Sequence, residues 1–500
     1  MIVRMRCIVL RTLLLSLFAV GRAESSDLLV PESDLPGLRE RIRSAEVQPY
    51  WESLHQAARE YIDPAAPRYA DPDSLTEITA HRDEIRGHLA ARRITTWMEN
   101  LGFAYRITGE PRFGRHAAAL LARAAETFPV TQEWMAAGFP GGRGDMMRAL
   151  AIGYDLCRDA LTPDQRALVE SVAADYTRQF VQEFTDPSCN WANYHNFMGV
   201  CGGSAGTLAL AVRQVYPAES QSWVADCRRI ITDWLDRSFD EQGAYLEGVS
   251  YSFYGLQNVG LFAHALERAN GRKLLDHPHL RNAPTFYAMS LLPGEAVYDA
   301  RNDSPYTPSR PVMLKLAHAY NSGLASWLWE TAPGGSSALM PILWGDPPPP
   351  ADPLSADVPL AQHFEGRGLC IWRTGWTGDD VMFSIEAGPY RYITHHQADQ
   401  GHFTLYGLGV RWAVDPGYGE SEAAAHSIVH VDGKAQAPCP GARGVSGTVT
   451  DYRNGPRSGF ARTDLTSAYR ENDRGQPGAV VRFAKRHAFF VPPRAGIPAY

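Results

Sequence analysis

The pattern of apolar positions divides the chain into a helical part and a strand-rich part. From residue 35 to about 340, segments of medium length carry apolar residues at helical spacing, and short turns separate them. In one of them Thr162 can cap, Pro163 stands at the first helical position and Gln165 completes a capping box. A series of such segments predicts stacked helical hairpins, as in an incomplete α/α toroid.

The pattern changes after residue 343. Residues 344–359, "WGDPPPPADPLSADVP", contain four consecutive prolines, which cannot continue a helix and favour an extended linker. From residue 360 onward, stretches such as "DVMFSIEAG" and "HFTLYGLGVRWAV" are rich in strand-forming residues, with Gly, Pro and Asp between them. We therefore predict a multidomain α+β protein: a helical domain over 35–343 and an antiparallel β domain over 360–500. Because the last residues read as half of a strand pair, we expect the natural protein to continue beyond residue 500.

Composition narrows the function classes. The chain has 500 residues, 45% of them hydrophobic and 21% charged, with a net charge of −7, which argues against a nucleic-acid partner but leaves room for a local basic cleft. Residues 1–23 combine a basic start, a short apolar run and small residues at cleavage spacing, so we predict a signal peptide and a periplasmic or secreted protein. No later stretch predicts an integral membrane segment. The sequence leaves the oligomeric state open.

The cysteines do not form a recognisable motif. Six lie beyond the predicted signal peptide, and none shows CxxC spacing. A cysteine metal cluster is therefore not expected, whereas disulfides in an oxidising compartment and buried free thiols both remain open. The six are Cys157, Cys189, Cys201, Cys227, Cys370 and Cys439.

Two stretches of the helical part carry polar groups that could do chemistry. "NWANYHNFMG", residues 190–199, places Asn193, His195 and Asn196 just before an apolar helix, where they could act on a ligand or cap the helix. In "YLEGVSYSFYGL", Tyr251 and a second tyrosine three residues later share a helix face. Tyrosines at this spacing are also ordinary packing residues, so the pattern alone leaves both possibilities open.

A third stretch, "THHQADQGHF", is unusually rich in histidine. On a strand, His395, Gln397 and Asp399 would share one face and His396 the other. The later segments "WAVDPGYG" and "AAHSIVHVDG" add an aspartate and two histidines. Imidazole and carboxylate groups from neighbouring strands are typical metal ligands, although a solvated polar loop has the same composition.

In this order, "NWANYHN", "EGVSYSFYG", "HHQADQGHFTLYGLGVRWAVDPGYG" and "HSIVHVDG" resemble the heparinase II/III-like polysaccharide lyases, a group that includes heparin, heparan sulfate and alginate lyases. The resemblance covers nearly the whole mature chain. It implies an N-terminal α/α toroid followed by an antiparallel β-sandwich domain. It also implies β-elimination on a uronic-acid polymer, so that the partner would be an anionic polysaccharide. In that reaction a base removes the proton at C5 and an acid protonates the oxygen that leaves from C4.

The resemblance assigns roles to single residues. Tyr251 matches the catalytic tyrosine, and His395 matches the histidine that the β domain contributes to the cleft. Tyr254 falls in the sugar-binding groove one turn later. Glu247, four residues before Tyr251, is a candidate for orienting that tyrosine and for the groove.

The group that holds the uronate carboxylate falls within Asn193, His195 and Asn196, of which we favour His195 and Asn196. Arg301 and Asp303, in "YDARNDSPY", are further candidates for lining the groove.

The resemblance further implies a structural zinc in the β domain. Asp415 and His426 match two of the ligand positions, but the third, two residues past the catalytic histidine, is Gln397. Glutamine is a poorer zinc ligand than neutral imidazole. His402 is a possible substitute at a different spacing.

Other classes remain open at this point. An inverting glycoside hydrolase on an α/α barrel would need two carboxyl groups across the cleft, about 6.5–9.5 Å apart. Glu247 could be one, and the sequence offers no convincing second. A non-catalytic carbohydrate-binding protein is the third possibility. Among uronate polymers, the lack of a basic run favours an alginate-like substrate over a glycosaminoglycan.

Overall fold

The computed structural model describes most of the chain from Leu28 onward. The described ranges are 28–75, 84–130, 140–186, 195–335, 337–389, 395–419, 422–438, 446–472 and 475–492. The predicted signal peptide over residues 1–23 lies outside them.

The first part of the described chain is helical, and its helices pack as an inner and an outer layer. They are α1 (Leu35–Arg41), α2 (Gln48–Tyr61), α3 (Glu84–Thr108), α4 (Pro111–Thr127), α5 (Pro140–Cys157), α6 (Pro163–Thr185), α7 (Asn196–Ala211), α8 (Pro217–Ser238), α9 (Val249–Asn270), α10 (Pro278–Ser290), α11 (Val312–Tyr320), α12 (Gly323–Thr331) and α13 (Leu339–Leu343). Helices α3, α5, α7 and α9 form the inner layer at the site, because α7 packs on both α5 and α9 and α5 packs on α3.

The start of α6 confirms the predicted cap. The Thr162 side chain accepts from the backbone N–H of Gln165, and the Gln165 side chain accepts from the backbone N–H of Thr162, with Pro163 at the first helical position. These bonds satisfy donors that the first turn of a helix otherwise leaves without partners.

Helix α7 lies at the centre of the helical domain, and every residue in it is buried. Its glycines allow close approach: a Cβ on Gly203 would lie 2.4 Å from the backbone carbonyl carbon of Asn258 in α9. A Cβ on Gly199 or Gly255 would meet the ring of Trp234. This close packing sets the first residues of α7 beside the first turn of α9.

The second part of the described chain forms two antiparallel sheets. The strands are β1 (Ala361–Phe364), β2 (Leu369–Arg373), β3 (Val381–Glu386), β4 (Phe403–Gly407), β5 (Val410–Ala413), β6 (Thr448–Asn454), β7 (Gly459–Asp464) and β8 (Lys485–Phe490). Strands β1 to β5 follow one another in the first sheet, and β6 to β8 do so in the second. Trp372 of the first sheet contacts Tyr452 and Phe490 of the second, so the two sheets share a core. The α+β fold class is confirmed.

A buried charge cluster joins the two domains. Glu386, at the end of β3, accepts from Arg301 of the helical domain at 3.2 Å and from Arg367 at 3.0 Å. Arg367, in the turn between β1 and β2, also donates to the carbonyl of Tyr245. Burial alone would raise the pKa of Glu386, but the adjacent Arg367 and Arg301 hold it below its ordinary value. The carboxylate is therefore charged and fixes the β domain against the helical domain.

Four described cysteines, Cys157, Cys201, Cys227 and Cys370, are buried free thiols. Cys189 and Cys439 lie outside the described residues. No helix in the described ranges is long and apolar enough to cross a membrane.

We predict that Gly203→Ala destabilises the protein. The added Cβ would meet the backbone of α9 at 2.4 Å, and backbone cannot rotate away as a side chain can. Overpacking of this kind costs about 1–3 kcal/mol, which exceeds the gain of about 1 kcal/mol from replacing a helical glycine. Chemical denaturation measures the change.

Gly202→Ala, in the same helix, is the matched control. Its Cβ would meet side-chain atoms and no backbone, namely Cγ1 of Ile231 at 3.2 Å and Cγ2 of Ile230 at 3.6 Å, and side chains can shift by a few tenths of an ångström. Equal stability of the two variants would contradict the close approach of α7 and α9.

Candidate active site

A cleft of about 1070 Å³ opens where the helical domain meets the β domain. Helices α3 and α5, the first residues of α7 and α9 and the segment 305–310 form its helical walls, and His395 and Tyr418 come from the β domain. Both domains therefore contribute to one concave site, which is the usual setting for a ligand.

Tyr251 and His395 meet in this cleft. Their rings stack with centroids 3.8 Å apart and an interplanar angle of 16°. His395 Nδ1 lies 3.0 Å from Asp303 Oδ2. The pKa of Asp303, which burial alone would raise, is lowered by hydrogen bonds from His395 and from the backbone of Gly419. The carboxylate is ionised and can only accept, so Nδ1 donates to it, and Nε2 is the atom that has the lone pair in the neutral form of the ring.

Tyr251 is held in its protonated form. Burial raises the pKa of its phenol far above the ordinary value, and the nearby Asp303, Tyr418 and Glu247 raise it further. A phenol in this state can give a proton at neutral pH and cannot act as a base until it has given one. The imidazole of His395 beside it has the chemistry of a complementary base.

Glu247 lies behind the cleft and does not line it. Its side chain is fully buried and accepts from the backbone N–H of Asn196 at 2.7 Å, from Asn196 Nδ2 at 2.8 Å and from the Tyr245 hydroxyl at 3.0 Å. Its Oε1 lies 3.6 Å from His395 Nε2. Our expectation that Glu247 contacts the substrate was wrong, because its carboxylate does not line the cleft and is taken up by Asn196 and Tyr245 behind it. Asn196 does line the cleft.

His195 caps helix α7. Its Nδ1 accepts from the backbone N–H of Phe197 at 3.2 Å, so its proton is on Nε2, which lies 3.6 Å from Glu247 Oε1. Burial lowers the pKa of His195; Glu247 opposes this and His395 adds to it. A neutral, buried capping histidine fits the capping alternative and supports Asn196 from behind. Asn193 lies outside the described residues.

Of the other residues predicted to line the groove, only some do so. Tyr254 lines the cleft, where its hydroxyl donates to Asp145 at 3.0 Å. Asp303 does not line the cleft wall, and its contact with His395 makes it a positioning residue. Arg301 is not in the cleft, contrary to expectation: it is buried and donates to Asp299 and Glu386 in the charge cluster between the domains.

The sequence analysis missed the basic wall of the cleft. Arginines from α3, α5 and the segment before α11 converge there, together with His88. Apart from the adjacent Arg92 and Arg93 they are distant in sequence and form no basic run, so only the helix packing reveals them. The four, called the cleft arginines below, are Arg92, Arg93, Arg148 and Arg310.

A second polar cluster lies in the β domain, at the positions expected for a metal. Gln397 Oε1 and His426 Nε2 are 2.7 Å apart, and Asp415 Oδ2 lies 3.8 Å from His426 Nε2. Asp399 is close enough to share an ion with Asp415 and His426. Residues 395–400 are turn and loop, so our strand expectation for this part of the stretch was wrong, yet Gln397 still points to the cluster.

The cluster fits a divalent cation through Gln397, Asp415 and His426. Asp415 Oδ2 and Gln397 Nε2 are buried without hydrogen-bond partners, a costly state that a bound ion would relieve for the carboxylate. His426 Nδ1 faces the carbonyl of Glu422 at 3.1 Å, and donation there would leave the Nε2 lone pair for a metal.

His402 and His396 are poor substitutes for the missing histidine ligand. His402 Nδ1 accepts from the backbone N–H of Ser427, so its Nε2 carries the proton. Burial, followed by the charges of Arg301, His426 and Arg486, lowers the pKa of His402 to about 2 and keeps the ring neutral. His396 faces the carbonyl of Leu246 instead of the cluster.

The protonated state of Tyr251 can be tested directly. Because burial and the surrounding negative charges raise its pKa, we predict that Tyr251 contributes no tyrosinate below about pH 10, the ordinary tyrosine value. Ultraviolet titrations of the wild type and Tyr251→Phe should therefore superimpose up to that pH. An additional tyrosinate in the wild type that titrates near neutrality would mean that the phenol is a base in the free protein.

Comparisons with known proteins agree with this geometry. No protein-family model matches the chain. An alginate lyase of Stenotrophomonas maltophilia (strain K279a) is 26% identical over 184 residues, which are 33% of this chain and 24% of the relative. The chain thus matches only about a quarter of that protein's length.

Solved polysaccharide lyases share the fold. Heparinase III aligns with a TM-score of 0.55 at 13% identity, over 80% of this chain and 60% of its own. A mutant of the heparan sulfate lyase HepC from Pedobacter heparinus aligns with a TM-score of 0.53 at 13% identity, over 95% of this chain and 77% of its own. The Streptomyces coelicolor A3 chondroitin AC lyase, in complex with chondroitin sulphate, aligns with a TM-score of 0.51 at 13% identity, over 92% of this chain and 76% of its own. The chain therefore has the fold of the heparinase III-like polysaccharide lyases.

Proposed function

We propose that the protein is a polysaccharide lyase that cleaves a uronic-acid polymer by β-elimination in this cleft. The observation that carries the proposal is the contact between the protonated phenol of Tyr251, from the helical domain, and the imidazole of His395, from the β domain, at the wall of a basic cleft. A proton donor and a proton acceptor on one sugar ring are what an elimination requires.

In the proposed mechanism His395 is the base. Its Nε2 lone pair removes the proton at C5 of the uronate, and Asp303, which holds Nδ1, stabilises the imidazolium that forms. Tyr251 gives its proton to the oxygen that leaves from C4. The C4–O bond breaks as a double bond forms between C4 and C5. Proton transfer from the imidazolium to the phenolate restores both groups for the next turnover.

Asn196 has the place and chemistry to bind the uronate carboxylate. One N–H of its amide is held by Glu247, which fixes the amide plane, and the residue is buried directly at the wall of the cleft. The second N–H can then donate to the carboxylate as charge moves onto it in the transition state.

The carboxylates at the cleft do not support the hydrolase alternative. Glu99 and Asp145 line the cleft, but each is held by an arginine, Arg148 and Arg92 respectively. An ion-paired carboxylate stays ionised and is a poor general acid, and an inverting hydrolase needs one.

The alginate lyase relative favours an alginate-like polymer, and the fold neighbours named for heparan sulfate and chondroitin sulphate make a glycosaminoglycan the second choice. The signal-like residues 1–23 support an exported enzyme that meets its polymer in the periplasm or outside the cell.

We also propose a structural divalent cation, zinc by resemblance, at Gln397, Asp415 and His426. When bound, it would tie together three segments of the β domain near His395 and take no part in proton transfer. The orphaned carboxylate oxygen of Asp415 supports this assignment.

A screen of uronate polymers tests the function. Elimination creates an unsaturated uronate that absorbs in the near ultraviolet, and we expect this absorbance with at least one polymer. Tyr251→Phe should lower kcat by about 10²–10⁴-fold, because it removes the general acid, and should leave the fold unchanged. His395→Ala should be affected at least as strongly.

Tyr105→Phe is the matched control, because its hydroxyl contacts Asp159 outside the cleft. Full activity of Tyr251→Phe on a polymer that the wild type cleaves would refute the assignment of the acid.

Metal content is a separate test. We expect protein purified without chelator to hold about one divalent cation per chain by elemental analysis, and its melting temperature to fall after chelation. Asp415→Asn should lose the ion, whereas Asp451→Asn, on the exposed strand β6, should keep it. The proposed site would be overturned if the purified protein held no metal and its melting temperature changed neither with chelator nor with added zinc.

A further inference from the structure

Two of the cleft arginines have fixed carboxylate partners. Arg148 donates to Glu99 at 2.5 Å, and Arg92 donates to Asp145 at 3.1 Å. Asp145 also accepts from the Tyr254 hydroxyl at 3.0 Å. The charges of these two arginines are therefore largely neutralised, and the two carboxylates have little capacity for another cation.

Arg310 is different. It is half-buried at the cleft wall, and across the described ranges its guanidinium has neither a hydrogen bond nor a carboxylate partner. Burial lowers its pKa, and the like charges of Arg92 and Arg148 lower it further. A partly desolvated cation beside two other cations is unfavourable in the free protein. An anion that enters the cleft would remove this cost.

The backbone holds Arg310 in place. Ser309 is fully buried, and its hydroxyl donates to the carbonyl of Leu328 at 3.2 Å. Pro311 follows, and α11 begins at Val312. The backbone of Arg310 is therefore set before a ligand arrives, which removes part of the ordering cost of binding.

Arg310 shares a part of the cleft with Arg92 and Tyr254. Tyr254 is three residues beyond Tyr251 on α9, and the guanidinium of Arg92 lies over the Tyr254 ring, 4.9 Å from its centroid. Arg310 also lines the cleft and is close enough to Arg92 and Arg148 to feel their charges. A polymer with one sugar against the stacked Tyr251 and His395 rings would place a neighbouring sugar there.

We propose that Arg310 binds an anionic group on the sugar next to the one that reacts, and that this group is a uronate carboxylate. This inference rests on the proposed function. The guanidinium presents parallel N–H groups that match the two oxygens of a carboxylate. The substrate would then carry acid groups on consecutive sugars, as a homopolymeric uronan does, and the cleft would select it over polymers in which a uronate alternates with a neutral sugar.

Binding measured without turnover tests the subsite. In the Tyr251→Phe background, calorimetry with short oligouronates should show that Arg310→Gln weakens binding about 10–100-fold, the range expected for a hydrogen-bonded charge pair. Arg310→Lys should recover part of the loss. Arg115→Gln, the same charge change on the exposed face of α4, is the control and should bind normally.

Modified ligands identify the anion. In the protein that keeps Arg310, reducing the carboxylate of the neighbouring sugar to an alcohol should weaken binding by the same factor as Arg310→Gln does. The Arg310→Gln variant should bind the reduced and the unmodified oligomers equally. A glycosaminoglycan oligosaccharide with sulfate on the neighbouring sugar tests whether the anion is instead a sulfate. If only that ligand depends on Arg310, the carboxylate assignment is overturned. If Arg310→Gln binds every ligand as tightly as Arg115→Gln does, the proposed subsite is overturned.

Kinetics separate this inference from the proposed function. With Tyr251 present, Arg310→Gln should raise KM by the binding factor and leave kcat nearly unchanged, because the contact is made equally in the ground and transition states. Elimination that is independent of Arg310 would overturn the subsite alone. Binding that depends on Arg310 without any elimination by the wild type would overturn the lyase proposal alone.

Discussion

The site depends on the attachment of the β domain to the helical domain, because each domain supplies one half of the proposed reacting pair. The central contact is the partly buried carboxylate of Glu386 between the buried side chains of Arg301 and Arg367. Removing one partner from such a cluster leaves a buried charge uncompensated, at a cost of about 3–5 kcal/mol. The backbone N–H of Asp303 also donates to the carbonyl of His395 at 3.1 Å. The same loop thus fixes both the main chain and the ring of the histidine.

Behind the cleft, a second layer of buried groups sets protonation and orientation. Glu247 holds the amide of Asn196, His195 caps α7, and the glycines of α7 let α9 approach closely enough to bring Tyr251 beside them. The reactive side chains are therefore oriented by neighbours with little freedom to move. Catalysis by proton transfer gains most from such preorganisation.

The sequence predicted the local features well. The capping box at Thr162 and the change from helical to strand periodicity follow from short-range physics. Tyr251 and His395, placed by resemblance, do lie together. The burial of Glu247 and Arg301 could not be predicted, because it depends on which side of a segment the opposite domain covers.

The basic character of the cleft is the clearest case of information held only in three dimensions. A net charge of −7 gives no sign of four arginines on one wall, since they come from separate helices and a loop. The strand expectation for residues 395–400 failed for a related reason. Contacts with the helical domain and with His426 determine the conformation there, and they override the strand propensity of the flanking segments.

The central claim is that this cleft breaks a glycosidic bond by elimination between a phenol and an imidazole. The most direct measurement is mass spectrometry of the products formed from a uronate polymer. The account predicts that each cleavage gives one fragment with an unsaturated end, lighter by one water than the corresponding hydrolysis product. Fragments that all have the mass of hydrolysis products, with no unsaturated end, would contradict the account.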